Sequence, residues 1–213
     1  MVGDTCVSEE GMAAIVGRDK RYNVCSGAHH FDDAMELIRQ HQPDVLLIEP
    51  FLEGRHGIGW IKDLTAEFPD TRILVVSRQS EMIYAERALH AGAFGYWMKN
   101  SSAEELLRAV ATVAAGQMYI SSAITALLVR KFSGRGRPEE GLDCLSDREL
   151  TVFSLIAAEH GVGQIAQELG ICRKTVESHC EHIKSKLGYE DADALKRGAR
   201  ELLGAGLLPA QNP

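Results

Sequence analysis

The stretch Q-I-A-Q-E-L-G-I-C-R-K-T-V-E-S-H, residues 164–179, decides the fold class of the second half of the chain. Ile165, Ala166 and Leu169 fall on one side of a helix that Gly170 ends, since glycine takes the left-handed conformation of a C-cap without steric cost. After Gly170-Ile171-Cys172 a second helical pattern opens at Arg173 and runs to Leu187, where Gly188 stops it. Val176, Ile183 and Leu187 share its apolar side. Two helices joined by a short glycine-containing turn form a helix-turn-helix, which lays its second helix in the major groove of DNA. The outer side of that helix offers Arg173, Lys174, Glu177, Ser178, Glu181, Lys184 and Lys186. Bases near both helix ends suit phosphates, and the polar centre suits base edges.

Working outward, Ser146-Asp147-Arg148-Glu149 reads as a capping box, in which Ser and Glu satisfy each other's orphan amides. An apolar series from Leu150 to Ile156 follows it, and a fourth helix is expected over 191–203. The segment from Ser133 to Gly141, S-G-R-G-R-P-E-E-G, is too rich in glycine and charge to pack and reads as a linker. Before it the pattern changes. Strands are expected at Tyr22–Cys25, Asp44–Glu49, Arg72–Ser77 and Phe94–Met98, with helices over 8–16, 31–41, 57–68, 81–91 and 102–115. The runs L-L-I and I-L-V-V lack alternation, as parallel strands buried on both faces should.

Length and composition set the outer bounds. The 213 residues suit one to two domains, with 45% apolar and 25% charged residues. No apolar window approaches the ~18 residues of a spanning helix, and no secretory leader is visible at the start. Five cysteines (Cys6, Cys25, Cys144, Cys172, Cys180) without a C-x-x-C pair fit a reducing cytoplasm better than a disulfide scaffold. Residues 1–129 hold 11 Lys/Arg against 17 Asp/Glu, residues 130–142 four against two, and residues 143–213 eight against 11. Neither half is basic, so the net charge of −7 lends DNA binding no support and local pattern must carry it. Cys172, His179, Cys180 and His182 do not make a zinc site, because consecutive helix residues point apart. Cys172 stands where a Ser or Thr would cap the second helix. A thiol beside Arg173 could act as a redox switch, or simply fill space.

The pieces L-S-D-R-E-L-T-V-F-S-L-I-A (145–157), Q-I-A-Q-E-L-G-I (164–171), R-K-T-V-E-S-H (173–179) and K-S-K-L-G (184–188) resemble the LuxR-type helix-turn-helix of NarL/FixJ response regulators. That resemblance places base reading on Glu177, Ser178 and Glu181, and backbone contact on Lys174, His179, Lys184 and Lys186. Arg173 and Thr175 join the same DNA-binding set. It also implies a dimer contact on the final helix, here through Leu195, Ala199, Leu202 and Leu203.

The first half, through P-D-V-L-L-I-E (43–49), I-L-V-V-S (73–77) and A-L-H-A-G-A-F-G-Y-W-M-K (88–99), resembles the receiver domain of the same regulators. The resemblance implies a phosphorylation pocket in which Ser77, Tyr96 and Lys99 match the family, while Glu49 stands at the phosphoacceptor aspartate. The metal-binding acid pair falls on Gly3 and Asp4, so one acid is absent. Glu49 could imitate a phosphorylated aspartate toward Lys99 and Ser77, or merely pair with Lys99. The receiver's first strand would lie before Met1, leaving only a stub. Either Tyr22–Cys25 pairs directly with Asp44–Glu49, or a partner contributes, or the fold is rearranged.

The expectation is a receiver-like α/β domain over 1–120 (flavodoxin-like, first strand missing), a helix end and linker over 121–142, and an all-α helix-turn-helix domain over 143–213. Its function would be a dimeric, phosphorylation-independent, cytoplasmic transcription regulator that binds double-stranded DNA, without catalysis, cofactor, metal or membrane. The alternatives are a regulator that pairs with or sequesters another regulator without productive DNA binding, and one that senses a ligand near Ser77 and Lys99.

Overall fold

The computed structural model describes residues 1–3, 5–28, 30–52, 55–56, 58–133 and 141–203. Asp4, and residues 134–140 of the expected linker, lie outside the described residues. The chain divides into two units, Met1–Ser133 and Gly134–Pro213.

In chain order the first unit comprises α1 (Cys6–Val16), α2 (Phe31–His41), β1 (Val45–Ile48), the short hairpin β2 (Phe51–Leu52) and β3 (Arg55–His56), α3 (Gly59–Glu67), β4 (Arg72–Ser77), α4 (Glu81–His90), β5 (Gly95–Met98), α5 (Ala103–Ala114) and α6 (Ser122–Phe132). The strands β1, β4 and β5 form a parallel sheet in that order, with Leu46 opposite Ile73 and Val75 opposite Tyr96. Parallel neighbours need crossovers, which α3 and α4 supply. Leu46 to Ile48 and Ile73 to Val76 are all buried, so their continuous apolar runs have the reason expected of them. On one face Leu47, Leu74, Val76 and Trp97 pack against Leu106, Ala109, Val110 and Val113 of α5 and against Met12 and Val16 of α1. The helix α5 starts at the expected capping box: Glu105 N–H donates to Ser102 Oγ at 3.2 Å, and Ser102 N–H to Glu105 Oε2 at 3.3 Å.

Tyr22–Cys25 is not a strand, which corrects the sequence reading. The stub Met1–Gly3 takes the place beside β1 instead. Val2 donates to Leu47 O at 2.8 Å and accepts from Glu49 N at 3.0 Å. On its other side Met1 O accepts from Ala28 N at 2.9 Å, and Gly3 N donates to Ala28 O at 3.2 Å. Among the described residues no backbone hydrogen bond joins 22–27 to Val45–Leu47. Tyr22 and Val24 lend their side chains to the core, but their backbone has no ladder partner there. At the far edge Tyr119 pairs with β5, through Tyr119 N to Phe94 O at 2.9 Å and Tyr96 N to Tyr119 O at 3.1 Å. Gly95 permits this approach, since a Cβ there would stand 2.7 Å from Tyr119 O.

The second unit is helical: a 3-10 turn at Gly141–Cys144, then α7 (Asp147–Ala157), α8 (Val162–Glu168), α9 (Arg173–Leu187) and α10 (Ala192–Leu203). Its core collects Leu150, Val152, Phe153, Ile165, Val176, Ile183, Leu195 and Ala199. Gly170 (φ 61°) turns the chain between α8 and α9, and Gly188 (φ 73°) ends α9. The φ values lie where only glycine is unstrained. Tyr189 stacks on Phe153 with ring centroids 6.5 Å apart.

Candidate nucleic-acid interface and receiver pocket

Helix α9 leaves Cys172 with extended backbone (φ −75°, ψ 154°), the conformation of an N-cap, but with no side-chain cap bond to the helix amides. The thiol lies 3.0 Å from Thr175 Oγ1 instead. That hydroxyl holds the Cys172 thiol below its ordinary pKa, aided by backbone amides of the helix N-terminus. Val176 and Ile183 point into the unit and are fully buried. The opposite side keeps Arg173, Lys174, Thr175, Glu177, Ser178, Glu181 and Lys186 exposed, with His179 and Lys184 half-buried. The helix therefore presents most of the expected set on one surface.

Three of the cations in that set are less available than the sequence suggests. Lys186 Nζ donates to Glu149 Oε2 at 2.7 Å, and Lys184 Nζ pairs with Glu181 Oε1 at 2.9 Å. Arg173 lies back over α8, where a Cβ on Gly163 would come within 3.1 Å of its guanidinium. Burial, helped by the nearby Arg148 charge, lowers the pKa of His179, so it is neutral at pH 7. Among the described residues Lys174 makes no ion pair, and it stands exposed at the first turn.

Sequence reasoning missed Glu149 as the organiser of this region. It is 5% exposed, caps α7 through Ser146 N at 2.8 Å, and takes the Lys186 ammonium 37 residues away. Burial works to raise its pKa, but the bonds from Lys186 and Ser146 outweigh that and hold the carboxyl below its ordinary value. The dimer face assigned to α10 also needs correction. Leu195, Ala199 and Leu203 are buried within the unit, against its other helices, and only Leu202 is half exposed. The helix has one apolar stripe, and the core takes it.

The receiver pocket sits at the ends of β1, β4 and β5, with one residue from each of the first two and two from the third. Glu49 follows β1 and is 5% exposed; Ser77 ends β4 and is 2% exposed. Lys99 follows β5 and forms an ion pair with Glu49 Oε1. Its Nζ also donates to Ser8 Oγ at 2.7 Å, a partner on α1 that the sequence did not reveal. Ser77 Oγ accepts from Gln79 N at 3.0 Å, and Ser77 O from Lys99 N at 2.8 Å. Tyr96 is buried and its hydroxyl donates to Gln79 O at 3.0 Å. Burial raises the phenol's pKa far enough that it stays protonated. Glu49, Ser77, Tyr96 and Lys99 thus come together, while Asp4 falls outside the described residues.

Of the expected metal-binding pair, Gly3 is described and Asp4 is not. Gly3 offers no side-chain donor, and the Glu49 carboxylate is already matched by Lys99. A Cβ on Gly3 would stand 3.9 Å from Glu49 Oε2, so Gly3 lies beside the carboxylate without adding a ligand to it.

Comparison with known proteins agrees with both halves. The response regulator receiver domain model matches residues 1–111, and the luxR family model of bacterial regulatory proteins matches residues 143–196. The oxygen regulatory protein NreC of Staphylococcus epidermidis is 32% identical over 199 residues, covering 90% of this chain and 91% of its own. That of Staphylococcus carnosus is 33% identical over 198 residues, with the same coverage. Among solved structures, RcsB of Salmonella typhimurium superposes with a TM-score of 0.74 at 22% identity, over 95% of this chain and 96% of that one. RcsB of Salmonella enterica serovar Typhimurium bound to promoter rprA gives 0.71 at 21%, over 93% and 96%. A receiver-like parallel sheet, a LuxR-type helical unit and full-length relatives above 30% identity place the chain among the DNA-binding response regulators of the NarL/FixJ (LuxR) family.

Proposed function

We propose that this chain is a dimeric transcription regulator that binds promoter DNA without being switched by phosphorylation. The observation that carries the reading is the buried Glu49–Lys99 pair, with Ser8 as the third member. Lys99 is where the family resemblance places the cation that meets a phosphorylated aspartate. Here a resident carboxylate satisfies it, with about one negative charge where a phosphoryl group carries about two. An extra methylene displaces the carboxylate from the position of an aspartate, and misplacement on that scale is costly for phosphoryl transfer. Under this reading the domains are 1–120, a helix end and linker over 121–142, and 143–213, acting in the cytoplasm. Lys174, Thr175, Glu177, Ser178 and Glu181 face DNA, with Arg173, His179, Lys184 and Lys186 at the margin.

Glu49→Ala tests it. Removing the carboxylate takes away the anion that faces Lys99, and DNA affinity and self-association should both fall at least several-fold. Unchanged values for both would leave the pair as structure only. Alongside, acetyl phosphate with Mg²⁺ should add no phosphate mass to the wild-type chain, and a stable phosphoryl adduct would overturn independence. A second reading, a regulator that acts by binding another regulator, is favoured by the acidic Glu177 and Glu181 and by the commitment of Lys184 and Lys186 within the unit. Absence of salt-dependent binding to any native promoter fragment would select it.

A further inference from the structure

Helix α9 carries two acids where cations would be the simpler choice for a helix that meets DNA. Val176 and Ile183 are fully buried and fix which side of the helix faces the core. Glu177 and Glu181 are exposed, as are Lys174 and Ser178 beside them. They are the fifth and ninth residues of α9. Four residues apart, they stand about 6 Å from each other along the axis and only about 40° apart around it. Lys184 Nζ holds the Glu181 carboxylate at 2.9 Å, while the Glu177 carboxylate has no partner among the described residues. Burial raises the thiol pKa of Cys180, and the charges of Glu181 and Glu177 add to that against Lys184. Both acids therefore flank one patch of the helix surface.

A helix-turn-helix sets the first turns of its second helix against base edges, which is where these two residues lie. An ionised carboxylate accepts hydrogen bonds and donates none. The major groove shows it two donors, the amino groups of cytosine and adenine. Adenine sets the N7 acceptor beside its amino group, and guanine and thymine present acceptors, all of which repel a carboxylate. Cytosine alone presents a donor with no acceptor on its own edge. The acids thus turn away the guanine that Lys or Arg would choose there. A separation of about 6 Å spans roughly two steps of a duplex that rises about 3.4 Å per base pair. The small offset around the axis keeps both carboxylates on one flank of the helix, toward one strand.

We propose that Glu177 and Glu181 are the specificity-determining residues of α9 and select the half-site C-x-C, each carboxylate accepting from the amino group of one cytosine on the same strand. Lys184 orients Glu181 for this role and offsets its charge beside the phosphates. Ser178, which both donates and accepts, adds contact without choosing a base. The assignment holds only if the chain binds DNA, as proposed above.

The test is enrichment of random DNA duplexes at low salt by the full chain, in parallel with Glu177→Gln and Glu181→Gln. Both side chains are exposed, so neither change disturbs the core, and Glu177→Gln leaves the pair of Glu181 with Lys184 intact. The wild-type chain should enrich C-x-C, each cytosine preferred at least about fivefold over any other base. Glutamine has the same shape but pairs with adenine through N6 and N7. Each variant should therefore change one cytosine to adenine and keep the other, and the two variants should change opposite ends of the triplet. A wild-type consensus without C-x-C, or variants that keep both cytosines, would overturn the assignment and leave DNA binding standing. Enrichment of no sequence by the wild-type chain would overturn DNA binding itself, and the assignment with it.

Discussion

At the scale of single residues, the second unit depends on one carboxylate. Glu149 closes a helix cap and receives Lys186, and both bonds are stronger when it is ionised. Its folded pKa lies below the ordinary 4.5, so its contribution is present above about that pH and is lost as pH falls through the lower, folded value. Lys186→Met should cost about 1 kcal/mol at pH 7, the low end for a buried acceptor because Lys186 is more than a third exposed. The same variant should show a flatter fall in stability between pH 5 and 3, read by urea unfolding followed through Tyr189 fluorescence or circular dichroism. The sequence pointed Lys186 at DNA because its partner is invisible to local pattern. A spacing of 37 residues carries no periodic signal. Glu49 and Lys99 were legible as a pair only through family resemblance, and Ser8 was not legible at all. Its hydroxyl reaches Lys99 across 91 residues of sequence.

At the scale of elements, capping decides how well the recognition helix holds its first turn. Ser121, Ser102 and Ser146 each accept from a backbone amide of the helix they start, whereas Cys172 makes no such bond. Cys172→Ser should raise the melting midpoint of the C-terminal unit by a few degrees and leave its fold unchanged. A decrease, in differential scanning calorimetry, would show that the thiol's contact with Thr175 matters more than a cap. Helices and buried strands were readable because their signals are local: the apolar runs of β1 and β4, and the capping boxes of α5 and α7. Tyr22–Cys25 misled for a definable reason. Its side chains Tyr22 and Val24 do pack on the core, but a strand also needs a hydrogen-bonded neighbour, and among the described residues its backbone has none in the sheet. The helix α6 was read only as a helix end, yet it is held to α4 by Ser121 to Glu81 at 2.9 Å and Lys131 to Glu86 at 2.5 Å.

At the scale of the whole molecule, charge governs how DNA binding responds to salt. A chain of net charge −7 approaches a polyanion against its own field, and under the proposed reading the few exposed cations of α9 carry the association. Lys174→Ala should weaken binding to specific and non-specific fragments alike and reduce the slope of log affinity against log salt by about 1. Fluorescence anisotropy over a salt series measures both. A loss confined to one sequence would mean that Lys174 reads a base. The sheet's outer rim has a separate consequence for solution behaviour. Tyr119 occupies the hydrogen-bonding groups of β5 that would otherwise recruit a neighbouring molecule, and the bare backbone of Gly95 lets it lie close enough to do so. Rim-to-rim zipping of one molecule onto the next, the usual seed of fibrils in open sheets, is blocked on that side before it can start.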